Sequence, residues 1–129
     1  MTIIPPRFNL ARACLQRQTR ETPDKLGLMV IGDASDVAGA ERWTYAELDR
    51  AVRSIASGLL AQGLKRGDRV LLQLPNNSDY ALLFFGAMAA GLVPVPISAQ
   101  LRTTTPRVFI SPSISRHPAV VACWPVPNA

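Results

Sequence analysis

The sequence predicts an α/β fold organised around an incomplete, doubly wound parallel sheet. The first observation is residues 65–98, where a basic turn precedes an apolar strand, an apolar helix and a second apolar strand. This order is typical of a βαβ unit, because parallel strands need a crossover connection of about a dozen or more residues. The second observation is that both strands are continuously apolar, as strands covered on both faces are. We therefore expect the other helices of the chain to cover this sheet.

The composition is that of one globular domain. Of the 129 residues, 48% are hydrophobic and 18% are charged, which is enough for a core that needs no disulfide or metal. The net charge of +5 is +2 over residues 1–101, which hold all nine acids, and +3 over residues 102–129, which hold three arginines. Because no basic stripe alternates with aromatic residues, we expect no nucleic-acid partner.

The cysteines and the histidine do not suggest a site. Cys14 and Cys123 lie far apart and His117 is the one histidine, so the sequence has neither zinc-ligand spacing nor a cysteine–histidine catalytic pair. These residues predict a reduced, cytoplasmic setting. The longest uncharged segment, residues 80–101, is interrupted by glycine and two prolines, so we expect no transmembrane span.

The first predicted element is a surface helix over residues 9–20. Asn9 is a typical N-cap, and Leu10 and Leu15 fall on one helical face. The segment is also rich in arginine and free of acids before Glu21, so a mitochondrial presequence is the alternative. We favour the helix because a usable strand follows directly.

A hairpin and a second helix are predicted next. Residues 26–31 have the apolar character of a strand, and residues 33–41 are predicted to be the connection of the hairpin. Thr44 and Glu47 have the spacing of a capping box, which predicts the start of a helix over residues 46–62.

The helix over residues 46–62 has further local signals. Asp49 and Arg53 have the spacing of an ion pair within one helix. Gly63 is predicted to close the helix in a left-handed conformation, followed by an apolar contact from Leu64. These signals make this helix the best-defined element of the prediction.

Two short motifs have both a structural and a functional interpretation. Arg66-Gly67-Asp68 spells a cell-adhesion tripeptide, but it precedes an apolar strand, where we expect a turn in which the aspartate bonds the backbone two residues on. Asn76-Asn77-Ser78 has the glycosylation pattern, but it lies between a strand and a helix, where Asn and Ser are typical N-caps. We favour the turn and the cap.

The helix over residues 78–90 is apolar on nearly all sides, which predicts that it is buried. Its small residues suggest a close approach to another element. Phe84 and Phe85 are predicted to belong to the core rather than to a ligand pocket, because apolar helical positions usually pack.

The character of the sequence changes at residues 102–129. Five of the eleven prolines fall there, with no glycine and no acid. Residues 108–110 and 119–124 could each form a short strand, which the prolines would confine to a sheet edge. We therefore divide the chain at residue 101 and expect the Pro/Ser/Thr-rich tail to be poorly ordered.

Several short motifs occur in order across residues 9–101. They are Asn9-Leu10 at the start of the first helix, Glu21-Thr22-Pro23-Asp24-Lys25 at its end, Trp43-Thr44-Tyr45-Ala46-Glu47-Leu48, Ser57-Gly58-Leu59-Leu60, Gly67-Asp68-Arg69-Val70, Leu74-Pro75-Asn76 and residues 86–96. Together they resemble the N-terminal part of AMP-forming acyl-CoA synthetases, which belong to the adenylate-forming superfamily. The resemblance implies that the sheet is the first part of the Rossmann-like large domain of such a ligase.

The resemblance also implies a reaction. In this family a carboxylic acid reacts with ATP and Mg²⁺ to give an acyl adenylate and pyrophosphate, and the acyl group then passes to coenzyme A. The family's phosphate loop, its acidic residues and its catalytic lysine lie beyond the region of resemblance. Thr103-Thr104-Thr105-Pro106 is hydroxyl-rich but has neither glycine nor lysine. We therefore assign no catalytic, cofactor-binding or metal-binding residue, and expect no cofactor for this chain alone.

Two hypotheses for the function stay open. The first is a truncated or frame-shifted acyl-CoA synthetase that is inactive alone. Its small-molecule substrates then belong to the full-length enzyme. If the chain is not frame-shifted, a natural short paralogue of such an enzyme is the alternative. The second is a stand-alone α/β binding or interaction module, which associates with a partner or with itself through an exposed sheet edge or apolar surface. The acid is not specified by this part of the sequence.

Overall fold

A βαβ unit lies at the centre of the structure, a computed structural model that describes residues 8–32, 34–98, 107–111 and 120–122. In chain order the elements are α1 (Leu10–Glu21), β1 (Leu26–Val30), β2 (Glu41–Thr44), α2 (Tyr45–Ala61), β3 (Arg69–Gln73), α3 (Ser78–Ala89), β4 (Val93–Pro96), β5 (Arg107–Ser111) and β6 (Val120–Ala122). β1 and β2 form a two-stranded sheet, and the other strands form a sheet in the order β4-β3-β5-β6. The predicted α/β fold with an incomplete sheet is confirmed.

Helix α1 begins directly after its predicted cap. The Oδ1 atom of Asn9 accepts a hydrogen bond from the N–H of Arg12 at 3.1 Å, which is the bond that an N-cap asparagine makes. The amide of Asn9 also donates to the carbonyl oxygen of Met88 at 2.8 Å, so the start of α1 is tied to the end of α3. Leu15 is buried among residues of α2 and α3. The predicted first helix is confirmed.

Strands β1 and β2 form the predicted antiparallel hairpin. Leu28 pairs with Trp43 and Val30 with Glu41. Leu28 and Val30 are half-buried whereas Met29 between them is exposed, as expected for a strand with one face against the core. The hairpin connection predicted between the two strands is therefore confirmed, with β1 ending one residue before the predicted boundary.

Helix α2 has both reciprocal bonds of the predicted capping box. The N–H of Glu47 donates to Oγ1 of Thr44 at 3.3 Å, and the N–H of Thr44 donates to Oε2 of Glu47 at 2.8 Å. At the other end, Gly63 has a φ of 86° and its N–H donates to the carbonyl oxygen of Leu60 at 3.0 Å. Leu64 is then buried, so the predicted cap and apolar contact are confirmed.

Strands β3 and β4 are parallel neighbours with α3 as their crossover. Arg69 pairs with Val93 and Leu71 with Val95. The N–H of Val93 donates to the carbonyl oxygen of Asp68 at 2.8 Å, which begins the pairing at the turn before β3. The βαβ unit expected over residues 65–98 is confirmed.

The core has two clusters of buried side chains. The sheet cluster lies between β3, α2 and α3 and consists of Leu59, Leu64, Val70, Leu72, Leu83, Ala87 and Leu92. The helix cluster lies where the three helices meet and consists of Leu15, Leu48, Val52 and Leu82. Ile55 packs against both clusters and joins them into one core.

The two faces of β3 are not equally covered. Val70 and Leu72 are fully buried in the sheet cluster. Leu71 points to the opposite face, where it is only half-buried, and Val93, which pairs with Arg69, is 46% exposed. The apolar strands predict that both faces of the sheet are covered. In the described structure, only the face of β3 that carries Val70 and Leu72 is fully covered.

Strand β5 corrects two expectations for the sheet. It runs antiparallel to β3 and lies between β3 and β6, so the sheet is mixed and β5 is not at the edge. The reason is that Pro106 and Pro112 flank β5 and no proline occupies it. β6 does lie at the edge, as predicted. Poor order of residues 102–129 stays a prediction, because most of the tail lies outside the described residues.

Candidate functional site

Ligands usually bind at the carboxyl ends of parallel strands in open α/β sheets, and in this fold that position is the turn from β3 to α3. Asn77 is the N-cap of α3, and its Oδ1 atom accepts the N–H of Tyr80 at 3.2 Å. Its amide donates to Oδ2 of Asp79 at 3.4 Å. The predicted cap is therefore confirmed. A carboxylate already faces the positive end of α3, and the turn has no glycine to cradle a phosphate.

The Arg66-Gly67-Asp68 motif is a turn, as predicted. Gly67 has a φ of 91°, and its N–H donates to the carbonyl oxygen of Gly91 at 2.9 Å. Oδ2 of Asp68 accepts the N–H of Lys65 at 2.7 Å, so its bond goes to the backbone three residues before it. The prediction that Asp68 bonds the backbone two residues after it is wrong, because its carboxylate closes the turn that precedes it. The motif thus connects the start of β3 to the end of α3.

The aromatic pair of α3 belongs to the core. Phe84 packs against the sheet cluster and Phe85 against the helix cluster, with ring centroids 6.2 Å apart and the rings nearly perpendicular. Tyr80 stacks on Phe84 at 6.0 Å. The prediction that these rings serve packing rather than a ligand pocket is confirmed.

Charged groups on the described surface serve helix geometry. Nε of Arg53 donates to Oδ2 of Asp49 at 2.7 Å, which confirms the predicted pair, and Nε of Arg17 donates to Oε1 of Glu21 at 3.0 Å. Hydrogen bonds from the backbone and the hydroxyl of Thr44 hold the pKa of Glu47 below its ordinary value of 4.5. The cause is the capping box, which stabilises the carboxylate and not the neutral acid that a proton donor would need.

Two open cavities beside α1 are lined by arginines. One, of about 380 Å³ between α1 and α2, is bordered by Arg12 and by the Asp49–Arg53 pair. The other, of about 630 Å³ between the start of α1 and the end of α3, is bordered by Arg12 and Arg66. Neither is lined by a histidine or a lysine, and the one carboxylate is already paired. The cavities therefore lack a free group for acid–base catalysis.

Metal-binding groups are absent from the part of the chain that the structure describes. No three side chains of His, Cys, Asp or Glu come together there. Cys14 is exposed on α1, while Cys123, His117 and Thr103-Thr104-Thr105-Pro106 lie outside the described residues. The expectation that this chain has no catalytic, cofactor-binding or metal-binding residue stays a prediction. Within the described ranges, no helix has the length and apolar character to cross a membrane.

The sequence did not indicate the three-dimensional features that join distant segments. The bond from Asn9 to Met88 spans 79 residues, and the cavities are lined by residues of α1, α2 and α3. An N-cap asparagine has a local role, which gives no sign of a second, distant partner. No local pattern reports such contacts.

The chain is similar to adenylate-forming ligases in sequence and in structure. A family model described as AMP-binding enzyme matches residues 15–115. A salicyl-AMP ligase / salicyl-S-ArCP synthetase of Mycobacterium tuberculosis is 41% identical over 81 residues, which are 63% of this chain and 14% of the relative. A mitochondrial medium-chain acyl-CoA ligase of Danio rerio is 35% identical over 94 residues, which are 73% of this chain and 14% of the relative.

Solved structures agree with these sequence relatives. A fatty acid AMP ligase from Legionella pneumophila superposes with a TM-score of 0.66 at 27% identity, over 75% of this chain and 16% of that chain. Acetoacetyl-CoA synthetase from Streptomyces lividans superposes with a TM-score of 0.63 at 31% identity, over 70% of this chain and 13% of that chain. The chain thus spans a small part of these relatives. The match over most of its residues shows that the chain belongs to the AMP-binding enzyme family of AMP-forming ligases.

Proposed function

We propose that this chain is the N-terminal scaffold portion of an AMP-dependent acyl-CoA synthetase and supplies no catalytic side chain of its own. The observation that carries the proposal is the match to residues 15–115 together with coverage of 14% of the length of curated ligases. A segment of that length holds the βαβ unit and its helices. The proposed reaction of the whole enzyme is activation of a carboxylic acid by ATP, then thioester formation with coenzyme A.

Inactivity of the chain alone is supported by the chemistry of its surface. The carboxylates beside the βαβ unit are engaged: Asp68 closes a turn, Asp79 bonds the cap of α3, and Asp49 is paired with an arginine. Transfer of an adenylyl group needs positive groups or metal ions that stabilise the phosphates, and these are proposed to come from the rest of the enzyme. ATP, Mg²⁺ and coenzyme A are therefore assigned to the full-length ligase.

We propose a class of substrate and a cellular location for the whole enzyme. Relatives are named for salicyl, fatty acyl and acetoacetyl chemistry, which supports a carboxylic acid as substrate class. We assign no particular acid. Fatty acids belong to this class, and an enzyme that acts on them would take part in fatty acid metabolism. We propose a cytoplasmic location, with mitochondrial import as the alternative because the first helix is rich in arginine.

A non-catalytic interaction module is the second candidate. It is favoured by exposed apolar side chains, which include Leu26 at 43%, Ile31 at 49% and Val93 at 46% exposure. Leu26 lies on β1 and Val93 on β4, one of the two edge strands of the larger sheet. Such side chains could bind a partner or a second copy of the chain.

The experiment measures acid-dependent exchange of pyrophosphate into ATP by the purified chain. The assay contains Mg²⁺ and short-chain, fatty and aromatic acids in turn. A circular dichroism spectrum with helix and strand signals controls for folding. We expect no exchange above buffer. Exchange that depends on both the chain and an acid would overturn the proposal, because the catalytic groups would then lie within this chain.

A further inference from the structure

Strand β4 ends the larger sheet on one side, because β3 is its one strand neighbour among the described residues. Its sequence is Val93-Pro94-Val95-Pro96, and its register with β3 runs over four pairs without a shift. Residues 91–101 carry no charge. Sheet edges are protected from pairing with another chain by charged side chains, bulges, prolines or a covering element. Because β4 has neither a charge nor a bulge, its prolines are the candidate for this protection.

The hydrogen bonds from β4 to β3 come from every second residue. The N–H of Val93 donates to the carbonyl oxygen of Asp68 at 2.8 Å, and the N–H of Ile97 donates to the carbonyl oxygen of Leu72 at 3.0 Å. Backbone groups of successive strand residues face opposite edges, so Val95 also faces β3. The two positions between these three residues therefore face the outer edge of the sheet.

Proline occupies both positions that face outward. Pro94 and Pro96 have no backbone N–H, so the outer edge of β4 has carbonyl oxygens but no donor. A strand added to this edge would receive no ladder hydrogen bond from β4. Among the six strands that the structure describes, β4 is the one that contains proline. The prolines thus stand at the two backbone positions where they prevent pairing, and the three N–H groups that bond β3 are kept.

We propose that Pro94 and Pro96 close the outer edge of β4 against strand addition. Neither a second copy of this chain nor an extended peptide can then continue the sheet at β4. A partner that binds there must contact side chains on a face of the sheet, such as that of Val93, which is 46% exposed. The inference narrows the hypothesis of an interaction module and is independent of the ligase proposal, because it concerns backbone donors alone.

The first test is amide hydrogen exchange of the variant Pro96→Thr, followed by NMR at low protein concentration. Pro96 is exposed, and threonine suits a strand and gives this position an N–H. We expect the new amide to exchange at the rate of an unprotected amide, and the amides of Val93 and Val95 to exchange at least about tenfold more slowly. A new amide as protected as these two would overturn the proposal, because the edge would already be paired.

The second test is self-association of the full chain, measured by sedimentation velocity over a range of concentrations. The double variant Pro94→Val/Pro96→Thr gives the outer edge two donors, with an apolar residue at the half-buried position. We expect its dissociation constant for self-association to be at least about tenfold lower than that of the parent, because two copies can then exchange ladder hydrogen bonds.

Val93→Thr is the matched control for the second test. It places a threonine on the same strand but adds no N–H to the outer edge, so its dissociation constant should stay within about twofold of the parent's. Circular dichroism checks folding, and Pro96→Thr replaces the double variant if the latter does not fold. A folded proline variant that associates no more tightly than the parent, or an equal gain in Val93→Thr, would contradict the proposal.

Discussion

At Gly86, α3 lies close to Ile55 and Val52 of α2, so Gly86→Ala is a direct test of this packing. A Cβ atom at this position would overlap Cγ2 of Ile55 and lie 2.9 Å from Cβ of Ile55 and 3.6 Å from the carbonyl oxygen of Val52. The Cβ of Ile55 is fixed to the backbone of α2, so a change of rotamer cannot remove both contacts. The two helices must move apart, which loosens both core clusters.

The expected magnitude follows from two opposing terms. Alanine is more favourable than glycine inside a helix by about 1 kcal/mol. Overpacking of a core costs about 1–3 kcal/mol, and a contact with a backbone-fixed atom belongs in the upper part of that range. We therefore expect Gly86→Ala to lower the free energy of unfolding by about 1–2 kcal/mol.

The assay is urea denaturation of the full chain, followed by far-ultraviolet circular dichroism. Ser54→Ala, on the exposed side of α2, is the control and is expected to change the free energy of unfolding by no more than about 0.5 kcal/mol. Ile55→Ala removes Cγ2, so the loss in the double variant with Gly86→Ala should be smaller than the sum of the single losses by about 1 kcal/mol. Unchanged or higher stability of Gly86→Ala, or strict additivity, would refute the close approach.

Three further predictions concern the turns and caps. Thr44→Ala removes the capping hydroxyl of α2, so thermal or urea unfolding should show a loss of about 1 kcal/mol, and no loss would contradict the capping box. Because the folded pKa of Glu47 is lowered, its stabilising effect is present above pH 4.5 and is lost as the pH falls through the folded pKa. Unfolding curves should therefore lose less stability on acidification in Glu47→Gln than in the parent, and equal losses would exclude this role. At Gly67 an added Cβ atom would meet no atom within 4 Å, but the backbone φ is 91°. Gly67→Ala should therefore lower the free energy of unfolding by about 1–2 kcal/mol in the same assay. Unchanged stability would show that the turn rearranges.

The local elements could be predicted from the sequence because their signals lie within a few residues. Asn9, the Thr44–Glu47 pair and Gly63 mark helix ends through bonds to their own turn. The helix and strand boundaries then agree with the structure to within one or two residues. The family could be predicted for a related reason, because several short motifs in order are more specific than any one of them.

Contacts between distant segments could not be predicted. The antiparallel pairing of β5 with β3 depends on which strand edge is free, which no residue of β5 encodes. Asp68 bonds Lys65 because of the fold of the turn, although an aspartate before a strand has other local partners. The candidate site illustrates the same limit, because the wall of the cavity of about 380 Å³ combines residues of α1, α2 and α3 that lie far apart in the sequence.

The central claim is that this chain supplies a scaffold to an adenylate-forming ligase and none of its chemistry. The most direct measurement uses the medium-chain fatty-acid–CoA ligase of Escherichia coli, which is 33% identical over 87 residues. Those residues are replaced by the matching ones of this chain, and acid-dependent pyrophosphate exchange is measured with a series of acids. We predict that the chimera keeps both the exchange activity and the acid preference of the parent enzyme. A folded chimera that has lost the exchange, or that prefers a different acid, would contradict the claim.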